Sequence, residues 1–173
     1  RRRGIRTLDL FLAGLLASAD LPGGFVVTLP KVVAIDHVTG FVRVLRRLEE
    51  AHGLPEGRLR FEIQVETPQS VLAADGRVAL ASLVSAADGR CAGLHFGTYD
   101  YTTALGVAAA QQSLDHPAAD FAKALMQVAA AGTGVRLSDG STNLLPVGDE
   151  AAVRAGWREH ARLVRRSLGR AFY

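Results

Sequence analysis

Four charged side chains stand where short apolar runs end. Lys31 lies near the end of F-V-V-T-L-P-K-V-V (25–33), Glu66 closes L-R-F-E-I-Q-V-E (59–66), Asp100 follows C-A-G-L-H-F-G (91–97), and Asp139 follows G-V-R-L (134–137). Glu66 and Asp100, on neighbouring strand ends, form a hard pair of oxygen ligands. Such a pair suits Mg2+, which takes one or two carboxylates and keeps waters and substrate oxygens around it. Gly97 lets the backbone turn closely beside a ligand. Alternation along F-E-I-Q-V-E puts Phe61, Ile63 and Val65 on one face and Glu62, Gln64 and Glu66 on the other. Carboxylates pointing into an interior are costly unless paired or metal-bound, and Lys31 could neutralise one of them. A structural reading stays open beside this one. Glu62 and Glu66 could belong to a carboxylate–lysine network, and Asp100 could cap a helix over 101–112.

Such groups need a scaffold that gathers strand ends. Leu8, Phe11, Leu12, Leu15 and Leu16 recur at the period of an amphipathic helix. Residues 1–20 also trace the outline of a secretory signal, but Asp9 interrupts the apolar run, and the helical spacing favours a core helix. The pattern then predicts a strand over 25–33 and a helix over 36–51 with Asp36 as its N-cap. A strand over 59–66 is stopped by Pro68. Residues 69–86 read as two helical pieces around Asp75-Gly76, and 91–97 as a third strand. Helices over 99–112 and 118–131, the latter closed by Gly132, precede a short strand over 134–137 and a last helix over 149–168.

Strand and helix in alternation mean parallel βα units, in either a doubly wound sheet or a barrel. Charged residues at four successive strand ends are how a barrel active site is built. A doubly wound sheet usually carries a glycine-rich phosphate turn, and the sequence has neither G-x-G-x-x-G nor G-x-x-x-x-G-K-[ST]. The expected fold class is therefore α/β, part of a TIM (β/α)8 barrel. A whole barrel needs about 200–250 residues or more. The 173 residues are expected to be one domain, 1–173, forming its later part and cut at both ends. The chain opens on Arg1 rather than Met and stops on Ala171-Phe172-Tyr173.

Three stretches resemble a known family, the HpcH/HpaI aldolase and citrate lyase β-subunit group of the phosphoenolpyruvate/pyruvate barrel superfamily. They are L-P-K-V (29–32), I-Q-V-E-T (63–67) and L-H-F-G-T-Y-D-Y-T-T-A-L-G (94–106). A-A-A-G-T-G-V-R-L-S-D-G (129–140) is similar to the family's helix–strand–Asp-Gly element. The resemblance implies that Glu66 and Asp100 hold Mg2+ or Mn2+. It also implies that backbone around Gly97 and Thr98 contacts a substrate carboxylate, and Lys31 is taken with them as substrate-binding. The chemistry implied is carbon–carbon cleavage or formation on a keto acid or acyl-CoA, through an enolate stabilised by the metal. The family's catalytic arginine belongs to an earlier strand, upstream of Arg1, and none of Arg1, Arg2, Arg3 or Arg6 is assigned that role. The catalytic residue is thus unknown, and this stretch alone is expected to be inactive. A barrel relative without lyase activity, serving as a binding or scaffold subunit, is the alternative.

Composition narrows the rest. With 49% hydrophobic and 21% charged residues, the chain is not disordered. Twenty Lys+Arg against 17 Asp+Glu leave +3, too little for a polybasic nucleic-acid binder. No membrane span is expected. The single Cys91 excludes an internal disulfide and fits a reducing, cytoplasmic setting, and it reads as inert filler. His37, His52, His116 and His160 are scattered, without zinc spacing, while His95 reads as an inward histidine satisfied within the structure. No G-x-S-x-G elbow exists. Arg154, Arg158, Arg162, Arg166 and Arg170 stripe the last helix, with Trp157, Ala161, Val164 and Leu168 expected as its apolar, packed face. A homo-oligomer is expected.

Overall fold

The computed structural model describes residues 2–145, 147–170 and 172; Arg1, Pro146, Ala171 and Tyr173 lie outside the described residues. Its centre is a parallel sheet of four strands, β1 (Val26–Leu29), β2 (Arg60–Val65), β3 (Cys91–Phe96) and β4 (Arg136–Ser138). They lie side by side in chain order, the arrangement of consecutive right-handed βα units rather than of a doubly wound sheet.

Among the described residues, eight helical elements surround or link the strands. They are α1 (Arg2–Leu16), α2 (Ile35–His52), α3 (Pro68–Val71), α4 (Ala79–Ala86), α5 (Thr98–Ala104), a 3-10 turn (Ala109–Gln111), α6 (Pro117–Ala130) and α7 (Glu150–Leu168). The alternation in β2 sets which way the sheet faces. Phe61, Ile63 and Val65 are fully buried and join Leu94 and Phe96 of β3 in one core. Val38, Val42 and Leu45 of α2, Leu80 and Leu83 of α4, and Ala122 and Met126 of α6 complete it. Each such large apolar side chain contributes about 1.5–3 kcal/mol by leaving water. The opposite face carries Glu62, Gln64 and His95, all half-buried, as the period of two requires.

Several boundaries differ from the sequence expectation, each for a local reason. The first strand stops at Leu29 because Pro30 has no N–H to give a ladder and Lys31 takes a left-handed conformation, φ 55°. Ala34, not Asp36, is the N-cap of α2; Asp36 lies in the first turn, where its charge still favours the helix dipole. The helix expected over 99–112 ends at Ala104. Gly106, at φ 77°, turns the chain, and a separate 3-10 turn follows. Asp100 is therefore inside the first turn of α5, whose N-cap is Gly97, and is not a cap for 101–112.

The last helix is turned over relative to expectation. Trp157, Val164 and Leu168 are 58%, 42% and 53% exposed, while Leu163 is buried. Part of the arginine stripe turns toward the start of α6 instead. Arg162 meets Asp115 at 2.6 Å, Arg166 grips both oxygens of Asp120, and Arg170 reaches Asp120 at 2.6 Å. Two acidic residues around the start of α6 thus decide the rotation of α7, since paired arginine–carboxylate contacts are strong and directional. Among the described residues no helix is long and apolar enough to cross a membrane.

Candidate active site

The carboxyl ends of β1, β2 and β3 converge on one residue, Lys31. Its backbone N–H donates to Glu66 Oε1 at 2.8 Å. Its Nζ lies 3.2 Å from Glu66 Oε2 and 2.6 Å from Asp100 Oδ2. A left-handed non-glycine residue costs on the order of 1–3 kcal/mol, and here the bend aims both N–H groups at one carboxylate. Glu66 is 2% exposed, whereas the side chains of Lys31 and Asp100 are 57% and 59% exposed. The buried carboxylate is the group that most needs a partner.

Charge and hydrogen bonding move the protonation of the exposed pair in opposite directions. Asp100, first, and then Glu66 hold the Lys31 ammonium above the ordinary lysine range, against its partial desolvation. Lys31, first, holds Asp100 below the usual carboxylate range, against slight desolvation.

Gly97 sits against this cluster. A methyl on its α-carbon would stand 2.5 Å from Glu66 Cβ and 3.2 Å from both Glu66 Oε2 and Gln64 Nε2, so no side chain fits. Its N–H is engaged by the Val65 carbonyl at 2.9 Å. Of the two residues expected to face a substrate through their backbone, Gly97 is thus the N-cap of α5, packed against Glu66, and Thr98 is its first helical residue. Thr98 is 1% exposed, and its Oγ1 has no hydrogen-bond partner among the described residues. Gly140 covers it: a methyl there would lie 2.7 Å from that oxygen and 2.8 Å from the Phe96 carbonyl.

Thr67, the last letter of I-Q-V-E-T, has a job that spacing did not reveal. Its hydroxyl donates to the Val32 carbonyl at 2.5 Å, and the same oxygen accepts the Ser70 N–H at 3.2 Å. It clamps the segment after β1 to the end of β2, and so fixes Lys31 over Glu66.

Asp139 does not join the cluster. Lys123 approaches it at 3.0 Å, Ser167 donates to it, and the Gly140 N–H caps its other oxygen at 2.9 Å. The fourth strand end is thus occupied by a contact that ties α6 and α7 to β4. Glu62 accepts the Thr28 hydroxyl at 2.7 Å, and His95 Nδ1 lies 2.9 Å from Ser138 Oγ, as befits a histidine with a partner of its own. Cys91 is buried, and burial pushes its thiol up to about 11, leaving it un-ionised and unreactive.

The donor set fits a small divalent ion of the Mg2+ type. Two carboxylates already touch a single cationic atom, and Mg2+ needs no more protein ligands than that. Among the described residues no group of three or more His, Cys, Asp or Glu could hold a metal, so a zinc-type cage is not formed.

Comparison with known proteins gives this geometry a context. The L-malyl-CoA/beta-methylmalyl-CoA lyase of Haloarcula marismortui is 37% identical over 107 residues, covering 61% of this chain and 28% of that protein. The malate synthase of Haloferax volcanii superposes with a TM-score of 0.59 at 21% identity, over 84% of this chain and 39% of its own. Its magnesium/glyoxylate complex gives 0.56 at 22% identity, over 80% and 37%. The chain spans well under half the length of these relatives. They bear out the expected fold, part of a (β/α)8 barrel, and the resemblance to the HpcH/HpaI aldolase group. The family described as a domain of unknown function, DUF6986, matches residues 1–173, and the chain belongs to it.

Proposed function

We propose that this chain is the later part of a single barrel domain that makes or breaks a carbon–carbon bond next to a carbonyl, on a keto acid or an acyl-CoA. The observation that carries the reading is the convergence of Glu66 and Asp100, from adjacent strand ends, on one cationic centre beside the side-chain-free Gly97. The lyase and malate synthase relatives support the reaction class. Mg2+ or Mn2+ would be held by Glu66 and Asp100 and, when bound, would supply positive charge for a substrate oxygen that becomes enolate-like.

The chain's own residues define the rest. Gly97, having no side chain, lets Glu66 pack directly against the start of α5, and backbone around Gly97 and Thr98 would contact a substrate carboxylate, as the family resemblance implies. Lys31 would meet the substrate's remaining negative charge. No proton carrier is assigned within the chain, consistent with a catalytic arginine belonging to an earlier strand. The assembled protein is expected to be a cytoplasmic homo-oligomer.

A non-catalytic binding or scaffold barrel is the second reading. It is favoured by the Lys31 ammonium, which already satisfies both carboxylates. Calorimetric titration of Mg2+ plus oxalate, an enolate mimic, into the full-length protein separates the two. Binding that is lost in Glu66→Ala supports the lyase reading. No binding by the unaltered protein sinks it and leaves the scaffold.

A further inference from the structure

Lys31 holds Glu66 in two independent ways. The backbone N–H on Oε1 is fixed by the chain path, through Pro30 and the left-handed turn, and does not need the ammonium. The ammonium on Oε2 sits at the end of a flexible, half-exposed side chain, and Asp100 is equally exposed. One contact is rigid and the other is free to leave.

A buried carboxylate keeps a positive partner. The oxygens facing Nζ are the same ones a divalent ion would need, and two cations cannot share them without strong repulsion. Resting on the metal reading above, we propose that the Lys31 ammonium is an exchangeable counter-ion. It pins Glu66 to Asp100 until a divalent ion enters, and is then expelled toward the site mouth. The backbone N–H stays on Oε1 throughout, so Glu66 keeps its orientation during the exchange. Expulsion leaves a mobile positive charge at the mouth, ready to meet the substrate's anionic oxygen only after the ion is in place. The order of assembly follows: ion first, anionic substrate second.

The test uses the full-length protein and Mg2+ alone. Calorimetry on the unaltered protein, Lys31→Met, Lys31→Arg and Glu66→Ala should show Mg2+ binding at least ten-fold tighter in Lys31→Met. Binding should be equal or weaker in Lys31→Arg and absent in Glu66→Ala. Without Mg2+, Lys31→Met should melt earlier than the unaltered protein, and Mg2+ should raise its melting temperature by more. A second measurement needs no variant. Acetic anhydride labelling of the unaltered protein, read at Lys31 by mass spectrometry, should rise several-fold when Mg2+ is added. If Mg2+ binds in a Glu66-dependent way but Lys31→Met leaves its affinity unchanged or weaker, or labelling stays flat, the exchange is overturned and the metal reading stands. If the unaltered protein binds no Mg2+, both fall together.

Discussion

Glu66 and Gly97 are in contact with no space between them: a methyl on Gly97 would lie 2.5 Å from Glu66 Cβ. Gly97→Ala must therefore push β3 away from β2 at the mouth of the site. Overpacking of this kind costs about 1–3 kcal/mol. The expected result is a lower denaturation midpoint together with Mg2+ affinity weakened ten-fold or more. A variant with unchanged affinity would mean that Glu66 is not a ligand.

Thr67 makes the next prediction. Thr67→Val keeps the shape of the side chain but removes the hydroxyl that caps α3 and holds Val32. Loss of a capping oxygen costs about 0.5–2 kcal/mol. The stability loss should come with faster amide exchange over residues 30–34, read by mass spectrometry. Exchange confined to α3 would show that Lys31 is positioned by something else.

Away from the site, Glu49 and Arg90 form a buried pair with contacts of 2.7 and 2.9 Å, and Glu49 also accepts the Leu59 and Gly57 N–H groups. Burial alone would raise the Glu49 carboxyl, but Arg90 and the two backbone donors outweigh it and hold it below the usual range. A group lowered on folding contributes stability above its unfolded value and loses it as pH falls through the folded one. Glu49→Gln should therefore destabilise at neutral pH, by about 3–5 kcal/mol if the Arg90 charge is left unpaired. Part of the unaltered protein's acid sensitivity should vanish with it. Urea melts at neutral and acid pH check both, and a parallel loss at the two pH values would contradict the assignment.

Lys31 and Asp100 give a pH window of their own. Asp100 is lowered, so its share of stability is present above the ordinary carboxylate range and fades in acid; Lys31 is raised, so its share persists until pH climbs through its elevated value. Both are more than half exposed, and the effect is small because solvent screens it. In Lys31→Met the alkaline limb should disappear and the Asp100 carboxyl, followed by carbon NMR, should titrate higher. An unmoved Asp100 titration would show that the contact at 2.6 Å does not persist in solution.

Asp120 anchors Arg166 and Arg170, so Asp120→Asn should loosen α7 without touching the proposed Mg2+ site. Hydrogen bonds to charged groups are worth about 1.5–3 kcal/mol. Faster exchange across α7 with unchanged Mg2+ affinity is the expected pair of results. A loss of Mg2+ affinity would instead couple α7 to Glu66.

Much of this arrangement was legible in the residues, because side-chain period and strand order are local properties. The alternation of Phe61, Ile63 and Val65 with Glu62, Gln64 and Glu66 names the two faces of β2 outright, and the turn glycines place most element ends. What stayed hidden depends on partners far along the chain. Nothing near Asp139 announces Lys123 and Ser167, so its carboxylate reads as one more mouth residue until α6 and α7 are in place. The rotation of α7 is hidden for the same reason. Its apolar stripe is the expected packing face in isolation, and contacts with Asp115 and Asp120, far back in the chain, turn Arg162, Arg166 and Arg170 toward α6. The left-handed bend at Lys31 was equally invisible, since a lysine carries no signal for positive φ.

The sheet has one further consequence. Its strands lie in chain order, so β1 and β4 each have a single neighbour among the described residues. Each therefore leaves a row of backbone donors and acceptors facing outward, a template on which another strand can be laid. Studied by itself, this stretch would carry two adhesive borders. Those borders would invite pairing with a second copy edge to edge, through backbone rather than side chains.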